Sequence, residues 1–191
     1  MSERPLLFKP LPVFETENLI LRELTLDDAQ DMFEYAQDDE IAGFGLWLPQ
    51  KTLQENIDDL QGALNAYAQG VALDWAVEHK ADHKMIGRIN LGAYNVRDAR
   101  VDIGYAYNRL YWGRGYATEA AHAVLKFGFE TLKLHRVGAT VLPDNFGSIR
   151  VLEKLGFQRE GVRRQAYSLR GQHEDLLCYS ILAPEWREQK R

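Results

Sequence analysis

The sequence predicts an α/β (α+β) fold: a mixed, mostly antiparallel sheet of about seven strands, with a central parallel pair and helices on both faces. Strand-like and helix-like runs interleave in the order β-α-α-β-β-β-α-β-α-β-β. The three strands at 71–107 are joined by short loops, which favours an antiparallel meander. The later strand–helix–strand unit, Val101 to Leu142, must cross over and pair in parallel, with the usual right hand.

Each element has its own local reason. Residues 1–17 hold three prolines and read as an extended N-terminal arm. Leu19 to Leu24 alternates as a strand does, and Thr25-Leu-Asp-Asp28 resembles a capping box. Ala29, Met32, Phe33 and Ala36 then repeat at helical spacing. Residues 38–51 read as a loop carrying Phe44, Trp47, Leu48 and Pro49. Thr52-Leu-Gln-Glu55 is a second capping box, followed by a helix face of Ile57, Leu60, Leu64 and Tyr67 that ends at Gly70.

Strands are expected at Val71–Glu78, Met85–Leu91 and Val101–Tyr107. A long helix runs from Thr118 to Leu132, with Ala121, Val124, Leu125 and Gly128 on one face. Arg136–Leu142 is the next strand, and Pro143-Asp-Asn145 turns into a short helix that Gly156 stops. Phe157–Tyr167 and Leu176–Leu182 close the chain as a hairpin with a loop of several residues.

Composition narrows the function. The chain has 191 residues, 46% apolar and 27% charged, and is sized for one domain, 1–191. No run approaches the roughly 20 apolar residues of a membrane span, and no signal-peptide core is present at the start. Lone Cys178 cannot form an intrachain disulfide and fits the cytosol. A net charge of −5 gives no general attraction to nucleic acid. A cytoplasmic protein with neither a membrane nor a nucleic-acid partner is expected.

The most informative stretch is Asn108-Arg-Leu-Tyr-Trp-Gly-Arg-Gly-Tyr-Ala-Thr-Glu-Ala120. It joins a strand to a helix N-terminus, where free N–H groups and the helix dipole favour phosphate. It lacks the Gly-Lys-Ser/Thr ending of a P-loop. It also has Thr118 where a dinucleotide loop needs glycine or alanine, and a five-residue lead-in, Asn108 to Trp112. A nicotinamide oxidoreductase is therefore the weaker rival. The remaining alternative is a plain helix-entry loop.

Trp112-Gly-Arg-Gly115-Tyr-Ala117 resembles the acetyl-CoA pyrophosphate loop of the GNAT superfamily of N-acetyltransferases. That loop usually begins with Gln or Arg; Trp112 instead resembles the ribosomal-protein N-acetyltransferase (RimJ/RimL-like) branch. Further matches are Glu17 to Asp28, Pro143 to Phe157, and Leu169-Arg-Gly-Gln-His-Glu-Asp175, so the resemblance covers about residues 15–186. It implies acetyl-CoA as co-substrate, a twisted GNAT-type sheet, and a monomer or homodimer. It further implies direct transfer to a primary amine in a ternary complex. The favoured acceptor is a protein N-terminal α-amine, such as that of a ribosomal protein. The alternatives are a small amine (an amino acid or antibiotic) and a non-catalytic acyl-CoA-binding module.

The resemblance also implies roles. Pantetheine pairs with backbone at Tyr105, Ala106 and Tyr107, where a bulge splays that strand from Arg136–Leu142. The pyrophosphate lies on the amides of Gly113, Arg114, Gly115, Tyr116, Ala117 and Thr118; the Arg114 side chain adds a contact or is simply solvated. Ser148 is the candidate general acid, or else a first-turn serine bonding backbone. Asn145 caps that helix, contacts pantetheine, or does both. Glu160 is the candidate base, against a structural pairing with Arg159 or Arg163; Asp102 is held in reserve. Trp47, Leu48, Tyr94, Tyr167 and His173 are candidates for the acceptor side, each with ordinary packing as its alternative. The five histidines show no metal spacing, so no metal is expected.

Overall fold

The structure is a computed structural model and describes residues 9–188, so residues 1–8 of the expected arm lie outside it. Its sheet has eight strands, one more than expected. The addition is β1 (Phe14–Glu15), within the segment read as an arm; it pairs antiparallel with β2 (Leu19–Glu23). Thr16 closes the turn between them: its hydroxyl meets the Leu19 carbonyl and accepts from the Leu19 amide, both at 3.1 Å.

Asp28 accepts from the Thr25 amide at 2.8 Å, as the capping box requires, and leads through a 3₁₀ turn into α1 (Ala29–Ala36). Arg22 on β2 grips the same carboxylate with two bonds, 2.7 and 3.0 Å long. The expected loop at 38–51 contains a helix, α2 (Asp39–Gly45). Asp38 caps it, accepting from the amides of Glu40 and Ile41 at 2.9 and 3.3 Å. Gly43 and Gly45 lower the helix propensity of those seven residues, so the cap and tertiary packing decide their conformation. α3 (Leu53–Ala68) starts at the Thr52/Glu55 box, as predicted.

β3 (Leu73–His79), β4 (Lys84–Asn95) and β5 (Arg100–Tyr107) form the antiparallel meander. β3 is buried on both faces. Leu73, Trp75 and Val77 join the larger core, while Ala76 joins a second core with Met32, Tyr35 and Leu60. α4 (Tyr116–Glu130) begins two residues before the expected Thr118. β6 (Arg136–Val141), α5 (Phe146–Lys154), β7 (Gln158–Leu169) and β8 (Gln172–Leu182) follow in the predicted order, and α6 (Ala183–Glu188) is an addition. The last hairpin turns on two residues rather than several. Arg170 and Gly171 both have positive φ, 50° and 80°, the conformation that a tight two-residue hairpin turn demands.

The strand order is β1-β2-β3-β4-β5-β6-β8-β7. Only β5 and β6 are parallel among the described strands, and their ladder runs from Arg100–Arg136 to Asp102–Gly138. Beyond that pair the two strands part. No bulge in β5 causes this: β5 stays in register with β4 from Asp102–Gly92 through Tyr107–Gly87. The irregular register in β4 lies at the other end, near Ala93, which has φ of 52°. The expected bulge is thus displaced one strand and to the opposite end.

Gly87 sits tightly under the end of β5. A Cβ there would overlap the Ala106 carbonyl oxygen and Tyr107. Gly87→Ala should lower stability by about 1–3 kcal/mol, seen as a lower urea midpoint at unchanged slope.

Candidate active site

The parting of β5 and β6 opens a cleft of about 730 Å³. Ile103–Tyr107 of β5 form one wall and Ala139–Val141 of β6 the other. The glycine loop with the start of α4 closes one end, and the start of α5 another. Of the expected catalytic pair and coenzyme-binding residues, all line this cleft except Arg114 and Glu160.

Past Asp102, the β6-facing edge of β5 has no ladder partner. Such backbone groups need hydrogen bonds from elsewhere. The glycine loop offers a complementary set. Gly113 and Gly115 have φ of 76° and 89°, with open space where a Cβ would stand, so glycine is required here by conformation. The first intrahelical bond of α4 is Glu119 N–H to Gly115 C=O, 3.0 Å. The amides of Tyr116, Ala117 and Thr118 precede it and are left for a ligand or solvent. Trp112, the departure from the usual loop pattern, ties the loop back to the strand: its indole N–H donates to the Tyr107 carbonyl at 2.8 Å.

Ser148 and Tyr105 form the polar centre. The Tyr105 hydroxyl lies 2.9 Å from Ser148 Oγ. Burial pushes the Tyr105 phenol up to about 12, the Ser148 bond pulling the other way, so it stays protonated at neutral pH. Asn145 Oδ1 accepts from the Ser148 amide at 3.0 Å and caps α5, which fixes where Ser148 stands. Tyr105 was singled out for its backbone alone. Its side-chain role was hidden because which hydroxyl a strand tyrosine meets depends on a helix 43 residues downstream.

Glu160 is not brought to this site. Its carboxylate is held by Arg136 at 2.6 and 2.5 Å and by the Ser180 hydroxyl at 2.9 Å. The Arg136 hydrogen bond, against weaker desolvation, holds its pKa below the usual glutamate value, making it a poorer base. Arg136 opens β6, about 16 Å of strand away from Val141. The ion pair is structural, and its partner is Arg136 instead of Arg159 or Arg163. Asp102 stands at the fork, its carboxylate leaning over Gly138, and does not line the cleft. Arg114 is exposed, its guanidinium 5.7 Å from the Tyr111 ring centre.

A network that the sequence did not reveal supports the glycine loop. His79 Nδ1 lies 2.9 Å from Asp82, and Nε2 lies 3.0 Å from the Tyr116 hydroxyl. Tyr111 donates to the same Asp82 at 2.6 Å. That bond, ahead of the His79 one, lowers the Asp82 pKa and raises the Tyr111 phenol to about 12. The first residue of α4 is thereby anchored to the β3–β4 turn.

Of the acceptor-side candidates, Trp47 and Leu48 line a second cavity, on the α1 and α3 face of β5. Tyr167 joins β7 to α2 through a hydrogen bond to the Leu46 carbonyl. Tyr94 and His173 line neither cavity. No group of three or more His, Cys, Asp or Glu is placed to hold a metal among the described residues, and none of their helices is long and apolar enough to cross a membrane.

A strand fork facing a glycine-lined helix N-terminus suits an elongated ligand with a phosphate group at one end. Residues 18–158 match the acetyltransferase (GNAT) domain model, and the chain belongs to that family. It is 34% identical to the uncharacterized N-acetyltransferase YoaA of Bacillus subtilis, over 91% of this chain and 98% of that one. It is 30% identical to the [ribosomal protein uS5]-alanine N-acetyltransferase of Escherichia coli, over 44% and 43% of the two chains. The solved GNAT-family acetyltransferase of Bacillus anthracis superposes with a TM-score of 0.80 at 28% identity, over 91% of this chain and 99% of that one. The protein is therefore a GNAT N-acetyltransferase, using acetyl-CoA as its donor.

Two outcomes follow from the geometry. Asn145→Ala should cost about 1 kcal/mol through the lost cap, and Asn145→Asp should recover most of it, read as thermal midpoints. His79→Phe removes two bonds behind the glycine loop, each contributing about 1 kcal/mol. It should raise the KM for acetyl-CoA roughly tenfold or more and leave kcat at saturating coenzyme unchanged.

Proposed function

We propose that this enzyme acetylates protein N-terminal α-amines by direct attack in a ternary complex, as a member of the RimJ/RimL-like branch. The observation that carries this reading is the Tyr105–Ser148 hydroxyl pair in the cleft. Both groups can donate protons, and neither is a base at neutral pH. Such a site assists the leaving group. The acceptor must then arrive with its nitrogen already neutral in useful amount. An α-amine, with pKa about 7.7–8.0, is roughly one-tenth neutral at pH 7, whereas lysine is under about 0.1% neutral. The likeness to the [ribosomal protein uS5]-alanine N-acetyltransferase of Escherichia coli supports the same acceptor.

The coenzyme supplies an activated thioester. The residues of this chain hold and protonate. The free amides of Tyr116 to Thr118, and the glycine turn before them, receive the pyrophosphate. The unpaired edge of β5 at Tyr105 to Tyr107 holds the pantetheine arm, and an amide there polarises the thioester carbonyl. As the amine nitrogen bonds to the carbonyl carbon and the C–S bond breaks, Ser148 Oγ gives its proton to sulfur. Tyr105 steadies the developing oxygen charge with its own O–H, and the proton lost by the amine returns to Ser148 Oγ through solvent, which restores the serine.

The test is thiol release from acetyl-CoA with free-N-terminal peptides, and with N-terminally blocked peptides that carry lysine. Free N-termini should dominate; acetylation confined to lysine or to small amines would overturn the reading. Ser148→Ala should lower kcat at saturating coenzyme by about 10²-fold or more, whereas an unchanged kcat removes Ser148 as the acid.

A further inference from the structure

Resting on the coenzyme placement above, we propose that Arg150 and Lys154 of α5 bind the 3′-phosphate on the coenzyme's adenosine. The enzyme thereby selects acetyl-CoA over donors that share only its pantetheine and pyrophosphate. Among the described residues that line the coenzyme cleft, these are the two cations. They stand four positions apart on one helix, so they share a face at a separation of about 5–6 Å, a span that one phosphate group can bridge.

Neither cation is consumed by the fold. Arg150 Nε donates to the Phe146 carbonyl at 3.3 Å, which leaves both terminal nitrogens of the guanidinium as an open fork. Among the described residues, no carboxylate pairs with that fork or with the Lys154 ammonium. Both residues are exposed. Glu153, the acid between them in sequence, does not line the cleft. Two acids do line it, and neither pairs with these cations. Asp144 lies before the start of α5, six positions from Arg150, and Glu40 on α2 is held by Arg109 at 2.8 Å.

The coenzyme brings more charge than the glycine loop meets. Its pyrophosphate suits the neutral amides of Tyr116 to Thr118. Its 3′-phosphate is a monoester, with a charge of about −1.5 to −2 and three strong acceptor oxygens. The loop's own cation does not answer that charge: Arg114 does not line the cleft, and its guanidinium stands 5.7 Å from the Tyr111 ring centre. α5 packs against α4, so its cations stand beside the helix whose first amides face the cleft. On the coenzyme, a single ribose separates the pyrophosphate from the 3′-phosphate. An arginine fork with a lysine beside it matches a terminal phosphate in charge and in donor geometry. Lys154 also closes α5, where a cation complements the helix dipole. That role acts on stability alone and does not tell one donor from another.

The experiment measures dissociation constants by calorimetry for acetyl-CoA and for acetyl-dephospho-CoA, which lacks only the 3′-phosphate. Both are measured on the native enzyme and on the double variant Arg150→Gln, Lys154→Gln. The native enzyme should bind acetyl-CoA about tenfold or more tightly than the dephospho form. The double substitution should reduce that preference to about twofold or less, by weakening acetyl-CoA alone. Equal binding of the two donors by the native enzyme overturns the inference. A preference that survives the double substitution also overturns it, and with a lowered thermal midpoint it assigns the cations to the helix dipole. Faster turnover with acetyl-loaded acyl carrier protein than with acetyl-CoA, lost in the double variant, overturns it as well, because the cations would then serve a protein that delivers the pantetheine. Failure of the native enzyme to bind either donor instead overturns the transfer reading on which the inference rests.

Discussion

The parting of β5 from β6 after the Asp102–Gly138 pair is the constraint on which the rest of the molecule depends. Two parallel strands that separate leave backbone donors and acceptors without partners, a state that proteins rarely tolerate unless a ligand completes it. Everything around the fork is arranged to keep it open. β4 holds β5 in continuous register to Tyr107, so the strand cannot swing across to β6. Asp102 over Gly138 fills the vertex. β6 is held from its other side by β8, paired from Arg136–Leu182 to Val141–Leu177. The Arg136–Glu160 ion pair ties β6 to β7 at the closed end of the fork, where β5 and β6 are still paired, which is why Glu160 is occupied there and absent from the cleft.

The groups around the opening differ in how firmly they are fixed. Ser148 is set by the Asn145 cap and the Tyr105 hydroxyl, on a helix whose Leu152 and Leu155 reach the core. Tyr116 is set by His79 and Asp82. By contrast, exposed ion pairs help tether α2, which borders both cavities. Arg109 reaches Asp38 at 3.0 Å and Glu40 at 2.8 Å, and Arg170 reaches Asp39 at 2.6 Å. Exposed pairs of this kind contribute about 0–1 kcal/mol each. The cleft at the fork is thus rigidly built, while its border with the second cavity is more lightly held.

Much of this was legible along the chain. The element order, both capping boxes, the parallel crossover and the glycine loop depend on local spacing, cap chemistry and chain connectivity, all of which a sequence displays. α2 and α6 were not legible, because a short helix depends on its cap and on its neighbours. β1 was missed for a related reason: two residues carry no period, and only the pairing with β2 makes them a strand.

The sequence alone carried the resemblance that implies the donor, because a phosphate loop at a helix N-terminus is written in consecutive residues, Trp112 to Thr118. Ser148 and Asn145 were also readable, since a cap and the residue it holds are three apart. Only the tertiary structure decided which other side chains serve the site. Tyr105 meets Ser148 and His79 meets Tyr116, across separations of 43 and 37 residues. Those meetings depend on strand register and helix packing, as does the diversion of Glu160 to Arg136. The physical reason is range: a loop for phosphate is built from neighbours, whereas hydrogen-bond and charge networks join residues that only the folded sheet brings together.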